Sequence, residues 1–150
     1  MRPTLDAWGL ALAVIVARRS TCARRAVGCV LMDGAGHIIA TGYNGVVVGA
    51  PHCNEGTPCP GALGHPSGVG LDACQAVHAE QNALLQCTDP RRIATAYMTV
   101  SPCVTCTKLL LNTTCRRMVA AEAYAHDAAA HALWERAGRA WEIAPNVAST

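Results

Sequence analysis

The chain has 150 residues, of which 51% are hydrophobic and 15% charged, and its formal net charge is +2. This composition excludes a disordered chain and predicts one folded domain over residues 1–150 with a sizeable core. The small net charge argues against a nucleic-acid partner. Apolar runs stay well short of the roughly 20 residues that span a bilayer, so no membrane partner is expected. The N-terminal apolar run lacks a clean cleavage site, which favours a cytoplasmic location.

Hydrophobic periodicity predicts the elements in chain order. The first helix is expected over residues 5–19, and its apolar face is expected to consist of Leu5, Trp8, Leu12 and Ile15 or Val16. The later elements are strands over 27–32 and 37–41, a long irregular loop over 46–72, a helix over 75–88, a strand over 93–100, a helix over 103–111, a strand over 117–121, a helix from an Asp127 cap to 135–137 and a strand over 140–144. The alternation of helices and strands after the opening hairpin favours parallel pairing with helices on both faces.

Two short stretches contain the candidate catalytic residues: VHAE over 77–80 and SPCVTC over 101–106. His78, Cys103 and Cys106 form a donor set that suits zinc and leaves its fourth tetrahedral position open. Zinc lowers the pKa of a bound water from about 15.7 towards 7, and Glu80 is the expected general base and then general acid. H-x-E followed by P-C-x-x-C is typical of zinc-dependent deaminases. The sequence therefore predicts a hydrolase that removes an exocyclic amine.

Other interpretations of these motifs stay open. Cys103 and Cys106 could form a redox pair or half of a structural zinc site. The odd total of nine cysteines argues against a secreted disulfide framework. A non-catalytic zinc module for nucleotide sensing or assembly is a different functional class, but it would have no use for a proton carrier at Glu80. A third alternative is a deaminase of a free nucleoside, of guanine or of adenosine in tRNA, and the modest charge argues against tRNA.

With these residues in view, the chain resembles the deoxycytidylate deaminases of the cytidine deaminase superfamily over about residues 5–143. The similar stretches, besides the C-x-x-C motif, are STCARRAVG over 20–28, GYNG over 42–45, GAPHC over 49–53, VHAEQNAL over 77–84, and Tyr124. The resemblance implies a three-layer α/β/α fold with a five-stranded mixed sheet. It also implies hydrolysis of dCMP to dUMP and ammonia, feeding thymidylate synthesis, in a homohexamer that dCTP activates and dTTP inhibits.

The chain departs from the family in the region that follows GYNG. It has Val46-Val47-Val48 where a proline is usual, and it contains no Phe for base stacking. A pocket changed in this way could accept a 5-substituted dCMP such as 5-methyl-dCMP, which would yield dTMP.

The resemblance further implies residues that bind substrate or effector. These are Arg25, Gly42, Tyr43, Asn44, Gly45, Ala79 and Tyr124. Ordinary packing is the alternative role for the two tyrosines, and a solvated surface is the alternative for Arg24 and Arg25.

A second, structural zinc is also implied, because some family members use cysteines at the positions of Cys22 and Cys53. Cys59 and Cys74 would complete a closed four-sulfur site that pins the long loop. Free cysteines are the alternative, and His52 or His65 could replace one sulfur.

Overall fold

The computed structural model describes residues 1–66 and 69–145. Its helices are α1 (Leu5–Ala17), α2 (Ala79–Gln86), α3 (Val104–Leu111) and α4 (Ala128–Arg136). Its strands are β1 (Gly28–Met32), β2 (Ile38–Tyr43), β3 (Gly45–Val46), β4 (Ala76–Val77), β5 (Thr95–Val100), β6 (Arg117–Glu122) and β7 (Ala140–Ile143). Among the described residues, no helix combines the length and the apolar character of a membrane span.

Five strands form the main sheet, in the order β2-β1-β5-β6-β7. β1 pairs antiparallel with both β2 and β5, whereas β5, β6 and β7 run parallel. The parallel strands are joined through α3 and α4, as crossover connections between parallel strands require. The expected five-stranded mixed sheet is confirmed.

Helices cover both faces of this sheet. On one face, Leu10 and Ala13 of α1 pack against Val30, Tyr97 and Val119. On the other face, residues of the other three helices form the larger core with β1, β5 and β6. Those helical residues are Ala79, Ala83, Leu110 and Trp134. The three-layer α/β/α architecture is therefore confirmed.

The predicted apolar face of α1 is only partly right. Leu12 and Val16 are half-buried and pack against the core, as expected. Leu5, Trp8 and Ile15 are 50%, 38% and 59% exposed, whereas the buried positions are Gly9, Leu10, Ala13 and Ala17. Periodicity could not choose the face, because α1 is apolar on nearly all sides. The small residues decide it, since they let the helix backbone approach the sheet closely.

The helix predicted over 75–88 begins only at Ala79. Ala76 and Val77 instead pair with Gly45 and Val46 as the two-stranded ladder β4–β3. This ladder joins the two ends of the segment predicted as a long loop. That segment also contains short 3₁₀ turns at Pro60–Ala62 and Leu71–Ala73.

The predicted cap of α4 is only partly right. Asp127 occupies the N-cap position, but its carboxylate makes no capping hydrogen bond there. Asp127 Oδ2 instead accepts a hydrogen bond of 2.7 Å from Ser101 Oγ. Gly138 follows the helix with a φ of +72°, as expected for a glycine at a helix C-terminus.

α1 approaches the sheet closely at Gly28, and this contact generates a stability prediction. A methyl group at Gly28 would overlap the carbonyl oxygen of Ala13 and crowd the amide of Ala17, both backbone atoms that cannot rotate away. We expect Gly28→Ala to lower the free energy of unfolding by about 1–3 kcal/mol, measured by chemical denaturation. Gly34→Ala is the matched control, because a methyl group there would meet no atom of the described residues within 4 Å. Equal stability of the two variants would contradict this packing.

Candidate active site and metal centre

The candidate site lies along one edge of the main sheet. β5 ends at Val100 and the parallel strand β6 ends at Glu122, and these two residues are in register. Because β1 is antiparallel to β5, the segment that precedes Gly28 reaches the same edge. The carboxyl edge of parallel strands is where open α/β sheets bind ligands.

The N-terminus of α2 positions His78, which is the N-cap residue of the helix. The His78 amide donates to Gln81 Oε1 at 2.8 Å, so the first turn is closed by a side chain. Asn82 Nδ2 donates to the carbonyl oxygen of Tyr43 at 2.8 Å and ties the same turn to the end of β2. These contacts fix the position from which the imidazole projects.

The N-terminus of α3 positions the two cysteines. Cys103 is the N-cap residue, and its Sγ accepts a hydrogen bond of 3.5 Å from the Cys106 amide. Cys106, in the first turn, is fully buried. Both helices therefore point their positive ends, with free amide groups, at the site.

The three predicted metal ligands converge. His78 Nδ1 lies 3.5 Å from Cys103 Sγ and 3.4 Å from Cys106 Sγ. Within residues 1–66 and 69–145, no other group of His, Cys, Asp or Glu residues brings three ligand atoms within 4.8 Å of one another. Zn–N and Zn–S bonds of about 2.05 and 2.3 Å at tetrahedral angles place N and S about 3.6 Å apart. The donor atoms and their spacing thus fit zinc.

The electrostatics of this cluster favour a metal-binding thiolate. The pKa of Cys103 is lowered to about 4, because its Sγ accepts hydrogen bonds from the Cys106 thiol and from His78. The same contact with Cys103, together with burial, raises the pKa of Cys106. The pKa of His78 is raised, mainly by its hydrogen bond with Cys103.

Glu80 lies beside the cluster and is only 4% exposed. Burial raises the pKa of this carboxyl, and its side chain contacts the Cys106 thiol. A carboxyl group held at a raised pKa next to a ligand site is suited to carrying protons.

A cavity opens onto these groups and collects most of the predicted site residues. Those in its wall are Cys22, Arg25, Asn44, Cys74, His78, Ala79, Glu80, Cys103 and Tyr124. The cavity wall does not include Gly42, Tyr43 or Gly45. A methyl group at Gly42 would overlap the backbone of α2, and one at Gly45 would overlap Thr21 Oγ1. These two glycines therefore allow close packing around the site.

Asn44 organises the segment that carries Arg25. Its Oδ1 accepts hydrogen bonds from Ser20 Oγ at 2.6 Å and from the Val27 amide at 2.8 Å. Its Nδ2 donates to the carbonyl oxygen of Arg25 at 2.7 Å. One buried amide thus fixes the backbone of the cavity wall from residue 20 to residue 27.

The two neighbouring arginines have different surroundings. Arg24 donates to the carbonyl oxygens of Gly61, Pro66 and Val69 at 2.8–3.0 Å and so anchors the long loop. The guanidinium of Arg25 forms an ion pair with the carboxylate of Glu122 instead. Both residues line the cavity, but only the Arg25 guanidinium is paired with a side chain.

Ser101 is a site residue to which sequence reasoning gave no role. Its hydroxyl accepts from the Tyr124 amide at 2.7 Å and donates to Asp127 Oδ2 at 2.7 Å. Its amide donates to the carbonyl oxygen of Glu122 at 2.9 Å. Ser101 thereby positions the segment from 122 to 127 against the cavity. A small polar residue directly after a buried parallel strand is the signal that could have found it.

The four cysteines of the second predicted metal site are neighbours, but in the described part of the chain no three of their sulfurs lie within 4.8 Å of one another. The Cys59 amide donates to Cys53 Sγ at 3.3 Å. The Cys59 thiol contacts the thiols of Cys53 and Cys74, and backbone amides surround it. All nine cysteines fall in the described part of the chain, and each is a free thiol.

The sequence of residues 3–122 matches the family model of the cytidine and deoxycytidylate deaminase zinc-binding region. The chain belongs to this family. Four-fifths of its length falls in the match, so the resemblance inferred from the motifs is confirmed.

Named relatives in this deaminase family are also similar to the chain. It is 39% identical to the deoxycytidylate deaminase of Schizosaccharomyces pombe over 140 residues, which are 91% of this chain and 43% of that protein. It is 40% identical to the deoxycytidylate deaminase of Mycobacterium phage D29 over 125 residues, which are 79% of this chain and 94% of that protein. The chain thus spans less than half the length of the yeast relative and nearly all of the phage relative.

One solved crystal structure has the same fold as this chain. It is the dCMP deaminase of cyanophage S-TIM5 in complex with dCMP and dUMP. The TM-score is 0.69 at 21% identity, with 95% of this chain and 99% of that chain covered.

The ligand cluster generates a prediction about bound metal. We expect Cys106→Ala to lower the zinc content by one ion per chain, measured by elemental analysis of the purified protein, because two donors do not retain the ion. Cys87→Ala is the matched control, since Cys87 is a half-buried thiol at the far end of α2. An unchanged zinc content in Cys106→Ala would contradict the assigned ligands.

Proposed function

We propose that this protein catalyses the hydrolytic deamination of dCMP to dUMP and ammonia. The observation that carries the proposal is the convergence of one imidazole nitrogen and two sulfurs beside the buried carboxyl of Glu80, in a cavity whose wall includes Arg25. Relatives named deoxycytidylate deaminase, at 39% and 40% identity, support the choice of substrate.

His78, Cys103 and Cys106 would hold the metal in this reaction. Zinc bound there would lower the pKa of a water towards about 7 and so supply the nucleophile. The two helix N-termini stabilise the thiolate form of the ligands, because their free amides and dipoles favour negative charge.

Glu80 is the proposed proton carrier. Its burial keeps the pKa raised, so that the carboxyl can accept a proton from the attacking water and release it later. The protons go to the pyrimidine ring and to the departing amine, and the carboxylate is regenerated when ammonia leaves. One group thus serves first as base and then as acid.

Arg25 is the proposed contact for the substrate phosphate. Arg24 is less suited, because its guanidinium is already bound by three carbonyl oxygens. Asn44, Ala79 and Tyr124 are proposed to contact the nucleotide from the cavity wall. Tyr43, Gly42 and Gly45 are proposed to act in substrate or effector binding by shaping that wall.

The function is tested by a deamination assay on dCMP, 5-methyl-dCMP, dCTP and deoxycytidine, together with the variant Glu80→Gln. We expect ammonia release from dCMP, with kcat reduced roughly 10²–10⁴-fold in Glu80→Gln, because the amide cannot carry protons. Zinc content is expected to stay at the wild-type level.

The matched control is Glu135→Gln, which alters an exposed carboxylate on α4 that pairs with His131. Full activity in Glu80→Gln would contradict the acid–base role. Activity on deoxycytidine but not on dCMP would contradict the proposed substrate.

Further properties implied by the family remain proposals for this chain. They are activation by dCTP, inhibition by dTTP, a homohexameric assembly, a single catalytic domain over residues 1–150, action on a 5-substituted dCMP and a cytoplasmic location. Repeating the assay with dCTP or dTTP tests the regulation, and sedimentation tests the assembly.

We also propose a second, structural zinc held by Cys22, Cys53, Cys59 and Cys74. The contacts of Cys59 with Cys53 and Cys74 support it. Such an ion would fasten the long loop, because Cys53 and Cys59 lie within it, whereas Cys74 follows its end and Cys22 precedes β1.

Metal analysis tests the second zinc. We expect two zinc ions per chain in the wild-type protein and one in Cys59→Ser, which should also unfold at a lower temperature. Cys87→Ser again provides the matched thiol control. One zinc per chain in the wild-type protein would reject the second site and leave the catalytic site intact.

A further inference from the structure

The ion pair between Arg25 and Glu122 has no part in the chemistry of the proposed reaction. Arg25 belongs to the wall of the cavity, and Glu122 is the last residue of β6. Their side chains are 42% and 60% exposed, so a ligand that enters the cavity can reach the pair.

Glu122 is held in place by its backbone. It is in register with Val100 of β5, and its carbonyl oxygen accepts the Ser101 amide at 2.9 Å. The Ser101 hydroxyl binds the next turn of the chain through the Tyr124 amide at 2.7 Å. The backbone of Glu122 is therefore fixed, and its carboxylate lies beside the guanidinium of Arg25.

Arg25 is also held by its backbone, because Asn44 Nδ2 donates to its carbonyl oxygen at 2.7 Å. The guanidinium can thus move from one anion to another while the main chain stays in place. Carboxylates and phosphates bind the same guanidinium donors, often through two parallel hydrogen bonds. Two anions on one guanidinium would repel each other.

We propose that Glu122 competes with the nucleotide phosphate for Arg25 and thereby weakens the binding of phosphorylated ligands. This inference rests on the proposed function, because it takes a nucleoside monophosphate as the ligand of the cavity. Glu122 then sets the affinity for the phosphate group of the monophosphate, whereas the binding of the base and sugar is unaffected.

Equilibrium binding of dUMP, measured by calorimetry on the zinc-loaded protein, tests the competition without turnover. We expect Glu122→Gln to bind dUMP about two- to fivefold more tightly, the range that exposed ion pairs cover. Deoxyuridine, which has no phosphate, should bind the variant and the wild-type protein equally. The KM for dCMP should fall by the same factor as the dissociation constant of dUMP.

A double-mutant cycle separates direct competition from a general charge effect. In an Arg25→Gln background, Glu122→Gln should no longer tighten dUMP binding. The matched control for charge is Glu135→Gln, which should leave the dissociation constant unchanged.

Unchanged dUMP binding by Glu122→Gln would overturn the inference, because Glu122 would then not compete for Arg25. Weaker binding would also overturn it, because Glu122 would then orient Arg25 for the phosphate. An equal gain in the Arg25→Gln background would also overturn it. If the wild-type protein neither binds dUMP nor deaminates dCMP, the proposed function itself fails. If the wild-type protein does both and Glu122→Gln gives no tighter binding, only the competition fails.

Discussion

The structure depends on the meeting of two helix N-termini at the carboxyl edge of the sheet. His78 caps α2 and Cys103 caps α3, and their ligand atoms lie 3.5 Å apart. Two positive helix ends directed at one point would repel each other. Thiolate sulfur placed between them offsets this repulsion, which agrees with the lowered pKa of Cys103. The packing of α2 on β2 at Gly42 and the burial of α3 then maintain a geometry that the local charges favour.

The polar groups around this centre have separate tasks. Arg24 and Asn44 bind backbone atoms and give the wall its shape, whereas Glu80 lies buried and able to exchange protons. Arg25 and Glu122 remain partly exposed at the wall. Groups held by the backbone thus surround the ligand cluster, whereas the Arg25 and Glu122 side chains are the exposed charges of this region. Such a division allows affinity to change without disturbing the ligand cluster.

Much of the fold was predictable from the sequence, because the strands are strongly apolar and the helices begin at recognisable motifs. The convergence of His78, Cys103 and Cys106 was also predictable, because these residues occur in short motifs typical of metal ligands. The buried face of α1 was predictable only in part, since a helix that is apolar on nearly all sides carries little periodic signal. Asp127 occupies the N-cap position as predicted. The partner of its carboxylate, Ser101, was not predictable, because it is distant in sequence and only the sheet brings the two together. Glu122 and its ion pair required the register of β5 and β6.

The guanidinium of Arg24 places a permanent cation among three carbonyl oxygens of the long loop. A lysine could not reproduce this arrangement, because its single ammonium cannot span acceptors set out for a planar fork. The shape of this loop is therefore tied to one guanidinium, and to the position of Arg24 next to the cavity wall.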